Sequence, residues 1–298
     1  MLHLSTSYAL VLLAALCMCA CEEPLSVDGE LPTQLNIESE LRASESPTVR
    51  VSARTTLGEV VSARGLDNSF VSLTTRSGAP FDFEVVEAND SFAVFAAADD
   101  QPVLAGLSYR LTVNAPGYAE LRSTTTVPLV FSAGREADTV QATRAPSGQE
   151  EFVSVPFRLT DAPATDNYYH LIVSIRESRG TADAEEGQRL SFRYTASPLG
   201  SVNAGRAGVL FTDETFADGG LDGSLLLDAG RVNALADPVV EVEVRNVSAA
   251  YYDSFVVQSA AVTSPLPGGG STGVPNISGG SGYFTSYSSS LSVLRLVF

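Results

Sequence analysis

The stretch that decides the fold runs from Thr48 to Asn114. It contains TVRVSA (Thr48 to Ala53), FVSLT (Phe70 to Thr74), FDFEVV (Phe81 to Val86), FAVFA (Phe92 to Ala96) and YRLTVN (Tyr109 to Asn114). In each run apolar, often β-branched or aromatic residues alternate with polar ones, which places them on one face of an extended strand. Gly, Pro, Asn and Asp separate the runs and supply the turns. Short strands at this spacing predict an all-β sandwich. Working outward, Asn114-Ala115-Pro116-Gly117 punctuates one strand, and Tyr118 to Phe131 (YAELRSTTTVPLVF) supplies the next, broken at Pro128. The pattern resumes in Phe152 to Leu159, Tyr168 to Ile175, Arg189 to Tyr194, Val239 to Val244 and Ser290 to Phe298. Between the two series, the polar stretch Ser132 to Glu151 marks a domain boundary. Val247 to Val262 is rich in Ala, with Tyr251, Tyr252 and Phe255, and predicts one amphipathic helix. The expected architecture is therefore all-β. Two β-sandwich domains of immunoglobulin-like or transthyretin-like type stand in tandem, over 35–145 and 146–298, with at most one or two short helices.

The amino terminus has a different character. Tyr8 to Ala20 (YALVLLAALCMCA) is apolar, uncharged and too short for a stop-transfer helix, so residues 1–20 read as a signal peptide. The n-region MLHLSTSY carries no Lys or Arg. The run ends in Met18-Cys19-Ala20-Cys21, where a small residue precedes a cysteine, as in the lipobox of bacterial lipoproteins. Cys17 and Cys19 follow the bulkier Leu16 and Met18, which leaves Cys21 as the best acceptor for lipid. Several acyl chains on that residue would anchor the protein stably, where one chain binds only marginally. Residues 21–34 are acidic, polar and proline-containing, as suits a lipidated tether. Glu22 and Glu23 directly behind Cys21 resemble the signal that routes some lipoproteins to the outer face of the outer membrane.

Cleavage before Cys21 removes Cys17 and Cys19, leaving a mature chain with no disulfide and no thiolate metal cluster. The formal charge of −17 falls wholly on the mature region and argues against nucleic acid or an anionic membrane surface as partner. All 18 basic residues are arginine.

Motifs for chemistry are few. His170 is the single histidine of the mature chain, so a Ser-His-Asp triad would have to use it, and no G-x-S-x-G elbow accompanies it. A strand histidine that faces solvent or is satisfied by a neighbour is the reading adopted. Phe211 to Gly223 (FTDETFADGGLDG) clusters Asp213, Glu214, Asp218 and Asp222, weak candidates for calcium because hard cations prefer such oxygens. Asp-Gly turns explain the same residues, and the EF-hand spacing is missing. A hydrolase using the acidic loop 213–222 is a further alternative, set against the lack of tryptophan for a glycosidase cleft. Pro265 to Gly282 (PLPGGGSTGVPNISGGSG) has no Lys after its glycines and opens no βαβ unit, so it is neither a Walker loop nor a dinucleotide fingerprint. It reads as a mobile surface loop, or as a partner-binding one. Tyr283, Phe284 and Tyr287 behind it either seat the loop on the core or contact a partner or ligand; packing is the expectation. Asn89, Asn246 and Asn276 stand in Asn-x-Ser sequons, which a lipobox-bearing bacterial protein carries by chance.

The order of these features resembles a family of uncharacterised lipoproteins found beside TonB-dependent outer-membrane receptors, filed as a domain of unknown function. The resemblance is carried by Leu107-Ser108-Tyr109-Arg110-Leu111-Thr112-Val113, Ala115-Pro116-Gly117-Tyr118 and Thr126-Val127-Pro128. It continues through Asn167-Tyr168-Tyr169, Phe211-Thr212-Asp213-Glu214-Thr215-Phe216, Tyr251-Tyr252 and Asn276-Ile277-Ser278-Gly279-Gly280-Ser281-Gly282-Tyr283-Phe284. It implies a lipoprotein with a carboxypeptidase-regulatory-like amino-terminal β-sandwich, a second β-rich domain and no catalytic residues. The expected protein is non-catalytic, uses no cofactor and is anchored to the bacterial outer membrane through Cys21, facing outward. Its expected role is accessory to, or ligand capture for, a TonB-dependent receptor. A structural or adhesive surface spacer is the alternative.

Overall fold

The last strand is the axis of the fold. The computed structural model describes residues 33–297, leaving aside 56–58, 64, 77, 79, 131–138, 142, 148–149, 161–165, 178–187, 190–191, 195–201, 204–207, 217–219, 236 and 264–275. Strand β20 (Ser281–Val297) has 17 residues and so extends roughly 55 Å. Its first part pairs in parallel with β1 (Thr33–Arg42), from Asn36 opposite Ser281 to Arg42 opposite Tyr287. Its other edge pairs antiparallel with β18 (Pro238–Val247), from Val247 opposite Tyr287 to Val239 opposite Arg295. The two partners are staggered and meet at Tyr287, so one strand belongs to two sandwiches.

Around it grows a twelve-stranded sheet. Beyond β1 come β2 (Thr48–Thr55), β6 (Phe92–Ala97) and the edge strand β5 (Phe83–Ala88). Beyond β18 come β12 (Tyr168–Glu177), β16 (Val209–Thr212) and β15 (Val202–Asn203). Short strands β3 (Val60–Val61), β9 (Thr139–Gln141) and β13 (Gln188–Arg189) attach to β2, β20 and β12. Two four-stranded sheets cover its inner face. One has the order β19 (Ile277–Ser278), β8 (Leu121–Thr126), β7 (Ser108–Asn114), β4 (Phe70–Thr75). The other has the order β10 (Thr143–Ser147), β11 (Glu150–Thr160), β17 (Gly220–Asp228), β14 (Phe192–Tyr194). The fold is thus all-β and of sandwich type.

Each covering sheet closes its own core, because alternation brings one apolar face of each strand to the same side. In the first, Leu35, Ile37, Leu41, Val49 and Val51 meet Val71, Leu73, Leu111, Val113 and Leu121. In the second, Leu171, Val173, Val240, Val242 and Leu294 meet Val153, Val155, Leu159, Leu225 and Leu227. Ile277 and Phe284 belong to the first core although they lie far beyond the polar stretch Ser132 to Glu151. Between the cores the same inner face turns polar. Ser286 Oγ donates to Thr126 O, Ser288 Oγ to Leu129 O and Asn246 Nδ2 to Leu129 O, at 2.9, 2.9 and 3.4 Å. These bonds satisfy the carbonyls of the segment that leaves β8, where Pro128 ends the ladder.

Two helices complete the described chain. The short α1 (Ala229–Asn233) is capped by Asp228, whose carboxylate accepts from Arg231 N–H at 3.0 Å. Helix α2 (Ala249–Thr263) lies where the Ala-rich segment predicts a helix, on the outer face of the large sheet. There Tyr251 and Phe255 pack with Leu210, Val247 and Tyr287.

Several boundaries differ from the sequence reading. Strand β5 starts at Phe83; Phe81 instead forms an isolated bridge to Leu73 and seals the first core. Strand β20 begins at Ser281, nine positions before the predicted run. The expected mobile loop is corrected for residues 276–282, which are built into the sheets. Gly282, at φ +105°, passes so close to β1 that a Cβ would strike the Ile37 carbonyl. At Gly280 a Cβ would meet Leu121 and the Leu35 carbonyl. Glycine here admits a parallel strand between two others, and it carries no burial periodicity by which a strand is recognised. Residues 264–275 of that segment lie outside the described residues.

Candidate functional site

Three of the sequence motifs converge at one end of the second sandwich. Strand β12 opens with Tyr168-Tyr169, directly after Asn167, and alternation sends the two tyrosines to opposite faces. Tyr169 is buried, stacks on Phe216 and packs tilted against Phe211, each at 5.6 Å between ring centroids. Tyr168 points outward against Tyr252 of α2, at 5.0 Å. Asp213 follows β16 directly and closes the junction: Asn167 N–H donates to Asp213 Oδ2 at 2.8 Å, and Asp213 N–H donates to Asn167 O at 3.2 Å. Asn246 Nδ2 reaches Asn167 Oδ1 at 3.3 Å. Burial first, then the charges of Asp253, Asp166, Glu214 and Asp213, raise the Tyr168 phenol above its ordinary value. Burial followed by Asp253 and Glu214 does the same to Tyr252. The result is an aromatic pair ringed by carboxylates at the helix–sheet junction.

Of the calcium candidates, Asp213 and Asp222 are engaged separately. Asp213 is engaged by a backbone N–H, while Asp222 lies on β17 in a different sheet and pairs with Arg158 at 3.4 Å. Asp218 lies outside the described residues. Among the described residues, no group of three or more His, Cys, Asp or Glu side chains is placed to hold a metal ion.

His170 sits on the outer face of β12 under α2, 3 % exposed, which removes the solvent-facing option. Its Nδ1 is 2.9 Å from the Tyr251 hydroxyl, and Phe255 packs on its ring at 5.0 Å. Arg245, its cross-strand neighbour, donates to the same hydroxyl at 3.4 Å. Gly208, at φ +112°, makes room, since a Cβ there would collide with Leu171 O and the imidazole. Arg245 grips Glu243 through two bonds of 2.7 and 3.0 Å, and that hydrogen bonding, working against burial, holds its guanidinium pKa above the ordinary value. This is a helix latch built from polar groups that satisfy one another.

The aromatic candidates after the glycine segment separate by strand parity. Phe284 faces inward and is fully buried in the first core, and Tyr287 is buried in the cluster under α2. Neither side chain reaches a surface, so the partner-contact reading of these two is corrected to packing. Tyr283 is half-buried on the outer face, among Glu38, Glu40, Arg42 and Arg50. Burial and the two glutamates raise its phenol pKa.

A feature the sequence reading did not single out is an open groove of about 680 Å³ on the outer face of the β19-β8-β7-β4 sheet. Arg110, Thr112, Arg122, Thr124, Asn276 and Ser278 line it. The signal was present: strands NIESELR and VEVEVRN carry acids beside their arginines, whereas SYRLTVN carries none. Cys21 lies outside the described residues, as do the signal segment and the tether up to Pro32. Among the described residues, no helix is long and apolar enough to cross a membrane.

No curated protein matches the chain. Among solved structures, a DUF4785 family protein from Legionella pneumophila is similar at 9 % identity and a TM-score of 0.23, over 70 % of this chain and 51 % of that one. The chain therefore spans about half the length of that protein. The N-terminal Ig1-2 module of the Drosophila receptor protein tyrosine phosphatase DLAR is similar at 10 % identity and a TM-score of 0.21, over 90 % of this chain and 100 % of the module. A family match covers residues 22–291, and on that match the chain belongs to the family described as Domain of unknown function (DUF4249).

Proposed function

We propose that the protein is a non-catalytic, lipid-anchored protein of the bacterial outer membrane, acting as accessory or ligand-capture partner of a TonB-dependent transporter. The observation that carries the reading is the lipobox Met18-Cys19-Ala20-Cys21 followed by an acidic tether. Strand β1 starts at Thr33, twelve positions after Cys21, so the tether reaches at most about 40 Å from the lipid. The polar constellations support a binding rather than a catalytic role. His170, Tyr251 and Arg245 hold α2 in place, and Asp213 closes a junction. Capture needs an open surface, and the groove beside Arg110 is one.

Co-purification tests the partnership. Gentle solubilisation of outer membranes and capture of the full chain should recover a TonB-dependent receptor in stoichiometric amount. Its absence, under conditions that preserve known receptor pairs, contradicts the accessory role. The continuous twelve-stranded sheet favours the spacer alternative in one respect, since it joins the two sandwiches without a flexible linker in the sheet itself. Recovery of adhesin or secretion components in place of a receptor selects that alternative.

A further inference from the structure

We propose that the outer face of the β19-β8-β7-β4 sheet binds an extended saccharide bearing carboxylate or sulfate groups. The proposal deepens the ligand-capture reading and rests on it, by naming the chemistry of the ligand. In a chain of net charge −17, acids are abundant enough to pair every arginine. On the outer face of the large sheet they do: Arg42 pairs with Glu40 and Glu45, Arg50 and Arg54 with Glu38, Arg176 with Glu241, Arg245 with Glu243. Among the described residues, Arg110 makes no ion pair, and neither does Arg76, which directly follows β4.

Register then fixes the spacing. Arg110 lies opposite Thr124, and Arg122 opposite Thr112, so the two guanidinium groups are diagonal neighbours, roughly 7–8 Å apart at the backbone. Two like charges so placed stabilise nothing in the sheet, and Arg122 has Glu120 alone as a counter-ion. Arg110 keeps five N–H donors in a planar fork that matches carboxylate or sulfate oxygens in bidentate fashion. The floor between the arginines consists of hydroxyls, from Thr112, Thr124 and Ser278, which pair with hydroxyls of a sugar. At the far end of the same face Phe70 is 64 % exposed, a bare ring on which a sugar ring can lie. Hydroxyls and one ring, without an apolar patch, fit a saccharide better than a lipid. The groove is open rather than enclosed, which suits an extended ligand.

The test uses the full-length protein in zwitterionic nanodiscs at low salt, titrated with labelled oligogalacturonate and with a heparin-derived oligosaccharide. Neutral dextran oligomers and poly-glutamate serve as comparators. The expected result is saturable binding of at least one anionic oligosaccharide, weakened by added salt. Arg110→Glu with Arg122→Glu should lose about tenfold or more in affinity. Arg231→Glu, which alters an arginine on α1 with no ion pair among the described residues, should leave it unchanged. Arg110→Gln, a milder change at an exposed position, should weaken binding in the same direction. Absence of binding to both anionic oligosaccharides overturns the proposal, as does binding indifferent to Arg110, or preference for poly-glutamate. Because the purified protein is titrated without a receptor, failure here is distinct from failure to co-purify one.

Discussion

The large sheet and the β19-β8-β7-β4 sheet each turn one face to solvent, and the two faces solve the problem of surface charge differently. On the large sheet a ladder of contacts crosses from β12 to β6. His170 meets Tyr251, Tyr251 meets Arg245, and Arg245 lies over Tyr287 at 4.4 Å; Arg42 pairs with Glu40, and Arg50 lies over Phe92 at 3.8 Å. Each of the arginines named here has a carboxylate partner, and two of the charged groups, Arg245 and Glu243, are largely covered. On the small sheet the outward positions are Ser, Thr and Arg, with Phe70 and Asn114 at one end and Glu120 the one acid among the described residues that flank the groove. The first core lies beneath the small sheet and beneath β1 and β2 of the large one, and the second core beneath β12 and β18. The difference teaches that charges on the large sheet serve the fold, whereas on the small sheet Arg122 pairs with Glu120 and Arg110, which has no ion-pair partner among the described residues, is where the proposed ligand makes its contact.

The comparison can be broken most severely at the strand from which both sheets hang. Gly282→Ala puts a Cβ into the Ile37 carbonyl at a positive φ, and should cost more than about 3 kcal/mol or prevent folding. Denaturant titration of purified protein checks this. Next in size is a matched pair of substitutions. Arg245→Met leaves Glu243 without its bidentate partner in a largely covered site and should cost about 2–4 kcal/mol. Arg110→Met should change stability by less than about 0.5 kcal/mol. Equal costs for the two would erase the distinction between the faces.

A smaller effect is read from pH. Burial, opposed by the charges of Arg245 and Arg42, pushes the Tyr287 phenol up to about 12. Its value in an unfolded chain is about 10, so the native state holds this proton more tightly. The associated stability is complete below pH 10 and is lost as pH rises toward 12. Unfolding midpoints should therefore be level through pH 9 and fall above it, and Tyr287→Phe should reduce the fall.

Most strands were legible in the sequence because their inward residues alternate. TVRVSA, FVSLT, FAVFA and YRLTVN all lie in strands, and the Ala-rich segment after Val247 is a helix. The insertion of 277–284 into the first sandwich was not legible. Glycine pays no side-chain signature into a strand pattern, and the parallel pairing with β1 joins residues about 245 positions apart. At the site, alternation separated Tyr168 from Tyr169, but Asp213 bonding Asn167 across strands is a tertiary fact with no local trace. Arg110 was visible only as one polar position in a strand; its lack of a partner emerges once the neighbouring strands are in register.

The most direct test of the account concerns Cys21. Cells expressing the full chain should incorporate labelled palmitate into the protein and hold it in the outer-membrane fraction. Cys21→Ser should abolish both the label and the membrane association, while Cys17→Ser and Cys19→Ser keep them. Retention of label in Cys21→Ser, or release of unlabelled wild-type protein from the membrane, would contradict the lipid-anchored reading on which the proposed function stands.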